Sequence, residues 1–153
     1  MKIKVLIFGI TGIILWGCSW QQYFCITNNG STEISVEYAI TSAFSGFPIF
    51  ESSPDFYKTT SSGKIDWENP LDSEKGEFSD TIIRFQLLPQ TTAIIGHLSN
   101  DHYTAYNQYF INSRVFNLKY IRIINAGDTS VIVPGTFDRY FVNNNGFIEL
   151  IVK

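Results

Sequence analysis

The chain has 153 residues, with 11 basic against 14 acidic side chains, and aromatic residues are as frequent as charged ones at 16% each. Length of that order fits about one domain, and so much apolar surface supports a real core, which excludes a wholly disordered chain. The acidic balance argues against nucleic acid and against an anionic membrane surface as partners.

In chain order, Lys2 and Lys4 precede an apolar run from Val5 to Trp16, the layout of a secretory signal. About 12 helical residues reach ~18 Å, short of a hydrocarbon core of ~30 Å, so the run is too short to be a membrane-spanning helix. The run ends in Leu15-Trp16-Gly17-Cys18. An aliphatic residue three positions before the cysteine, and a small residue directly before it, resemble the lipobox of a bacterial lipoprotein precursor. The resemblance covers about the first twenty residues. It implies that 1–17 is a signal peptide and that the Cys18 thiol carries a diacylglycerol thioether. Palmitate-type acyl chains would then hold the membrane anchor, 18–22 would form a short tether, and 23–153 would form the folded domain. Two or three acyl chains anchor stably where one is marginal. Ser19 follows the cysteine, and Ser19-Trp20-Gln21-Gln22-Tyr23 has no acidic residue. Within the family this implies the outer membrane, on its periplasmic face.

Removing Lys2 and Lys4 from the 11 basic residues leaves 9 against 14 acidic, a mature charge of −5. The excess lies between Glu51 and Asp80, where eight acids face three lysines. With Cys18 lipidated, Cys25 has no partner and no disulfide framework is possible. Cys25 lies in the apolar run Tyr23-Phe24-Cys25-Ile26, where a buried, inert thiol is expected.

Tyr23 to Thr27 reads as the first strand, and Asn28-Asn29-Gly30-Ser31 as a turn. Glu33 to Ile40 alternates, with Ile34, Val36, Tyr38 and Ile40 on one side. Residues 41–79 hold three of the five prolines and little periodicity, and are expected to wrap the domain as ordered coil with short pieces of strand. Thr81 to Leu88 and Thr91 to Leu98 read as strands around Pro89-Gln90. Asn100 to Ile111 is expected to form a short helix capped by Asn100 or Asp101, with Tyr103, Tyr106 and Phe110 on one stripe. Val115 to Asn125 is a long strand with a bulge near Tyr120-Ile121. Ser130 to Val133 is a short strand, Thr136 to Val142 one helical turn, and Phe147 to Val152 the last strand. The fold class is therefore all-β: an antiparallel two-sheet β-sandwich (Ig-like) of about seven strands with a long loop and one or two short helices. The N-terminal hairpin, the proline-bearing loop, Leu87-Leu88-Pro89-Gln90-Thr91-Thr92 and the aliphatic last strand resemble small envelope lipoproteins of the Bacteroidetes type. That resemblance implies a sandwich fold and an envelope role.

Few constellations carry chemistry. His97, Asp101 and His102 are a metal-ligand set in type, weighed against two locally bonded loop histidines. Asp66, Glu68, Asp72 and Glu74 offer hard oxygens for Ca²⁺ but lack an EF-hand's spacing, so a solvated acidic loop is the simpler reading. Trp67 stands between Asp66 and Glu68 as a possible ligand contact, since binding sites mix aromatic surface with a few polar groups. Its plainer reading is a loop anchor. Asp80-Thr81-Ile82 resembles the Asp-Thr-aliphatic acceptor of O-glycosylation in Bacteroidetes envelope proteins, with Thr81 as the acceptor. Gly-x-Ser-x-Gly, His-Glu-x-x-His and phosphate-cradling glycine loops are absent. The expectation is a lipid-anchored envelope lipoprotein acting as a non-enzymatic binding or accessory module, with no cofactor beyond the lipid on Cys18. Its partner would be an envelope protein or a glycan. A carbohydrate-binding lipoprotein using Trp67 and nearby aromatics, and a small metal-dependent enzyme at His97/Asp101/His102, are the alternatives.

Overall fold

The computed structural model describes residues 20–42, 46–60, 63–72 and 76–153. Cys18 and Glu74 lie outside these. The described residues form a two-sheet β-sandwich. Its strands are β1 (Gln21–Asn28), β2 (Ile34–Ile40), β3 (Phe47–Pro48), β4 (Phe50–Thr59), β5 (Ile65–Leu71), β6 (Gly76–Phe78) and β7 (Ile82–Leu87). There follow β8 (Thr91–Ser99), β9 (Arg114–Val115), β10 (Leu118–Asn125), β11 (Asp128–Ile132), β12 (Val142–Asn144) and β13 (Phe147–Val152). A 3-10 helix, Pro134–Arg139, is the one helical element among the described residues. One sheet has the order β12-β13-β1-β8-β4-β5, the other β11-β10-β2-β7-β6, and β3 and β9 form a two-stranded ribbon. Pairing is antiparallel in both large sheets except between β1 and β13, which run parallel.

The alternation in β2 does what its sequence implies. Ile34, Val36, Tyr38 and Ile40 are buried, and they meet the buried Ile83, Phe85 and Leu87 of β7 and Ile121 and Ile123 of β10. From the other sheet come Phe24, Ile26, Phe50, Phe56, Ala93, Ile95 and Leu98. Phe56 and Phe85 join the two sheets edge to face, with centroids 5.0 Å apart. At one end Phe24, Phe50, Tyr103, Phe116 and Phe137 close the core as an aromatic plug. Gly96 is required where β8 crosses the start of β4, since a Cβ there would meet the Ile49 carbonyl oxygen at 2.3 Å.

Six expectations are corrected. Residues 41–79 are not mainly coil: β4 and β5 are ten- and seven-residue strands that complete the first sheet. The strand count is thirteen among the described residues, not about seven. Asn100 to Ile111 forms no helix. Tyr106, in the middle of that stretch, has positive φ, which breaks a helical run, and Tyr103 is buried while Tyr106 is exposed, so no stripe exists. The first strand starts at Gln21, inside the expected tether, because Gln22 is buried and its side-chain oxygen accepts from the Tyr103 N–H. The bulge in β10 lies between Leu118 and Tyr120, slightly earlier than expected, and the helical turn starts at Pro134 rather than Thr136.

The outer face of the second sheet carries a charge network. Glu37 accepts from the Tyr120 hydroxyl at 2.8 Å, from Arg122 at 3.0 Å and from Arg84 at 2.5 Å, and its side chain is only 14% exposed. The Tyr120 hydrogen bond and then the Arg84 contact hold its carboxyl below the ordinary value of 4.5. A depressed folded pKa means the stabilisation is complete above that ordinary value and is lost as pH falls through the lower folded one. Glu37→Gln is therefore expected to be less stable than the unsubstituted chain at neutral pH. The gap should close as pH falls below 4.5, as urea unfolding across a pH series would show. A gap that stays constant with pH would exclude this account.

Candidate ligand-binding site

The outer face of the first sheet is covered rather than wet. Cys25, Thr27, Thr92 and Ile94 are buried there. Strand register places Glu149, Cys25, Ile94 and Asp55 in one cross-strand row, and Ile151, Thr27, Thr92 and Tyr57 in the next. The cover comes from β5. Between Tyr57↔Pro70 and Thr59↔Ile65 the pairing slips, so 66–69 bulge out opposite Lys58. Asp66 shapes that bulge: its Oδ1 accepts from the Glu68 N–H at 3.3 Å and its Oδ2 from the Asn69 amide at 2.8 Å. Pro70 is tolerated because β5 is an edge strand.

The bulge swings Trp67 back over the sheet. Its ring lies 5.1 Å from Tyr57, 5.2 Å from Tyr23 and 6.3 Å from Phe147, three residues on three different strands. Trp67 nonetheless remains 46% exposed. Its open side borders a cleft of about 430 Å³, whose lining includes Lys64, Trp67, Asn144, Asn145, Phe147 and Glu149. Both edge strands of the sheet thus contribute to one cleft, so the sheet curls over its own outer face. That curl also protects its open edges.

One lining residue of the cleft, Glu149, is held by a buried hydrogen-bond chain of the sheet. The Thr27 hydroxyl donates to Glu149 Oε1 at 2.5 Å and lies 2.8 Å from the Thr92 hydroxyl. A hydroxyl has one proton, so Thr92 must donate to Thr27, and the chain Thr92–Thr27–Glu149 runs one way. Burial, and then the Glu149 charge, push the Cys25 thiol far above its ordinary range, so it is inert as expected.

The sequence-predicted residues divide. Trp67 is in the site. Asp66 and Glu68 flank it in sequence but do not line the cleft; Asp66 positions the bulge, and Glu68 is exposed. Glu149, Phe147, Asn144, Asn145 and Lys64 were missed. One signal was available: Glu149 is the lone charge in the apolar run Phe147 to Val152, and strand alternation puts it on the same face as Phe147.

His97, Asp101 and His102 take separate roles. His97 Nδ1 pairs with Glu51 Oε1 at 2.5 Å, and His102 packs on Trp20 with centroids 5.7 Å apart. Asp101 Oδ1 accepts from the His102 N–H at 2.7 Å. Among the described residues, no three His, Cys, Asp or Glu side chains gather as a metal-ligand group. The acidic set Asp66, Glu68 and Asp72 gathers no such group either, and Glu74 lies outside the described residues. Thr81 is half-buried at the bend entering β7, where its carbonyl accepts from the Ile40 N–H at 2.9 Å. No family model, curated protein or solved structure matches this chain.

Proposed function

We propose that the chain is a lipid-anchored cell-envelope lipoprotein whose β-sandwich is a non-enzymatic binding module, with the Trp67 cleft as its ligand surface. The anchor rests on the lipobox at Leu15-Trp16-Gly17-Cys18, and the location, outer membrane on the periplasmic face, rests on Ser19 and the absence of acidic residues in Ser19-Trp20-Gln21-Gln22-Tyr23. The binding reading rests on the cleft. A partly exposed indole there shares the lining with one carboxylate, one ammonium and two amides, and a hydrogen bond from Thr27 fixes the carboxylate. Its size falls within the range of ~300–1,000 Å³ usual for small-ligand sites.

The ligand chemistry that fits is a neutral polyhydroxylated ring. Lys64 and Glu149 balance in charge, the amides of Asn144 and Asn145 both donate and accept, and Trp67 with Phe147 offers flat apolar surface. This favours the carbohydrate-binding form of the module over a purely protein-binding one. Binding rather than turnover is supported by the single carboxylate among the described lining residues, since glycoside hydrolysis ordinarily uses two.

The test is tryptophan fluorescence of the purified protein titrated with a panel of neutral oligosaccharides. Quenching or enhancement that saturates is expected for at least one. Trp67→Ala should weaken that binding by about tenfold or more, roughly 1.4 kcal/mol, while Asp72→Ala should not change it. A flat response to every glycan in the panel would sink the carbohydrate reading.

A further inference from the structure

We propose that the end of the sandwich from which the N-terminal tether leaves is a bilayer-contacting surface, with Trp20, Tyr106, Tyr109 and Ile111 seated among the headgroups of the leaflet that holds Cys18. This rests on the lipid-anchor reading and adds to it an orientation and a set of contact residues.

Strand register defines that end. Gln21 pairs with Ser99, so β1 begins where β8 ends. The connection from β8 to β9 starts there, and it returns there, because Arg114 pairs with Phe47, three residues before Phe50, and Phe50 pairs with Gly96. The parallel β1–β13 pairing puts Val152 beside Asn28, so the C-terminus and the turn at Leu88 occupy the opposite end.

Chain length then fixes the distance to the lipid. Cys18 precedes Trp20 by two residues, which span at most ~7 Å when extended. The headgroup layer is itself about that thick, the bilayer being ~40–45 Å overall around a ~30 Å core. A domain held so closely meets the interface with the end that carries Trp20.

The chemistry of that end suits an interface. Tyr109 is 92% exposed, Tyr106 77%, Ile111 64% and Trp20 44%. Apolar rings with polar tips concentrate where membrane meets water, and exposed apolar clusters mark contact surfaces. The display of Tyr106 is built. Its φ is 62°, in the left-handed region that bulky residues avoid. It is held there by Asp138, whose Oδ2 accepts from the Tyr106 N–H at 2.9 Å and whose Oδ1 accepts from the Tyr103 hydroxyl at 2.6 Å. Tyr103 is thereby fixed in the core and Tyr106 turned to the outside. The excess negative charge of the mature chain lies in the stretch from Glu51 to Asp80, so the contact is aromatic rather than basic and suits a bilayer surface of little net charge.

The test uses full-length lipidated protein in phosphatidylcholine–phosphatidylethanolamine vesicles whose acyl chains are brominated near the headgroup. The mass of the N-terminal peptide first establishes lipid on Cys18. Trp67→Phe leaves Trp20 as the sole indole of the mature chain, and the difference between the unsubstituted protein and Trp20→Phe isolates the same signal. Trp20 emission is expected to fall at least about twofold against unbrominated vesicles, as for an interfacial aromatic. Tyr106→Ser, Tyr109→Ser and Ile111→Ser together should reverse most of that loss. An indole introduced at the far end by Leu88→Trp, with Trp20→Phe and Trp67→Phe, should remain unquenched. Lipidated Cys18 with unquenched Trp20 overturns the proposal and leaves the anchor standing. Cys18 without lipid overturns the anchor and this orientation together. Equal quenching at both ends overturns the orientation, since the domain would lie on its side.

Discussion

Phe24→Ala is expected to destabilise the domain by about 3–5 kcal/mol, the range for removing a buried phenylalanine ring. Phe24 has no exposed surface, and its ring meets Phe50 at 5.1 Å, Tyr103 at 5.3 Å, Phe137 at 6.1 Å and Phe116 at 6.5 Å. Those four come from β4, from the connection leading to β9, from the helix and from the chain just before β10. No single element can move in to fill the hole without giving up its other contacts. Urea unfolding should show a lower midpoint with an unchanged slope. A loss under about 1 kcal/mol would mean the plug collapses freely, and would contradict the packing described.

Asn117→Ala should cost about 3 kcal/mol, by a different mechanism. Asn117 is 2% exposed. Its Oδ1 accepts from the Phe50 N–H at 2.8 Å and the Ile49 N–H at 3.1 Å, and its Nδ2 donates to the Phe50 carbonyl at 2.9 Å. Alanine leaves the buried Phe50 N–H without that acceptor, whereas Ile49 keeps the Val115 carbonyl at 3.1 Å. The signature is local as well as global: hydrogen exchange at Phe50 should accelerate more than at Ile49. Equal protection of both amides would exclude Asn117 as the organiser of the turn into β4.

What the sequence made legible follows from how cleanly one face was buried. β2 and β7 each keep one side wholly in the core, and their alternation reads directly. β4 does not read that way. Ser52 and Ser53 are both exposed, the register slips between Phe50 and Asp55, and Pro54 is buried, so the period is lost although Phe50 and Phe56 are core residues. β5 is hidden by the bulge at 66–69, which spoils alternation at the very residues that make the site. Trp67 was visible because an indole between acids stands out, but its polar neighbours in the cleft were not. They come from Lys64 before the bulge and from residues 144–149 at the other end of the chain, and only the curled sheet brings these together. The helix expected at 100–111 failed for a related reason. The spacing of Tyr103, Tyr106 and Phe110 matches a helical stripe, yet Tyr103 serves the aromatic plug and Tyr106 the exterior, and the left-handed backbone at Tyr106 separates those duties.

The parallel pairing of β1 with β13 sets the order in which the molecule can be completed. Thr27 and Glu149, joined across that pair, are 122 residues apart in sequence. A chain synthesised from its N-terminus presents β1 first and its sheet neighbour β13 much later, so one side of β1 stays an open backbone edge until β13 has been made. Contacts of such long range form slowly, and an unpaired edge invites association with other chains. The cleft inherits the same delay, because Phe147 and Glu149 arrive on β13 while Trp67 is already in place on β5.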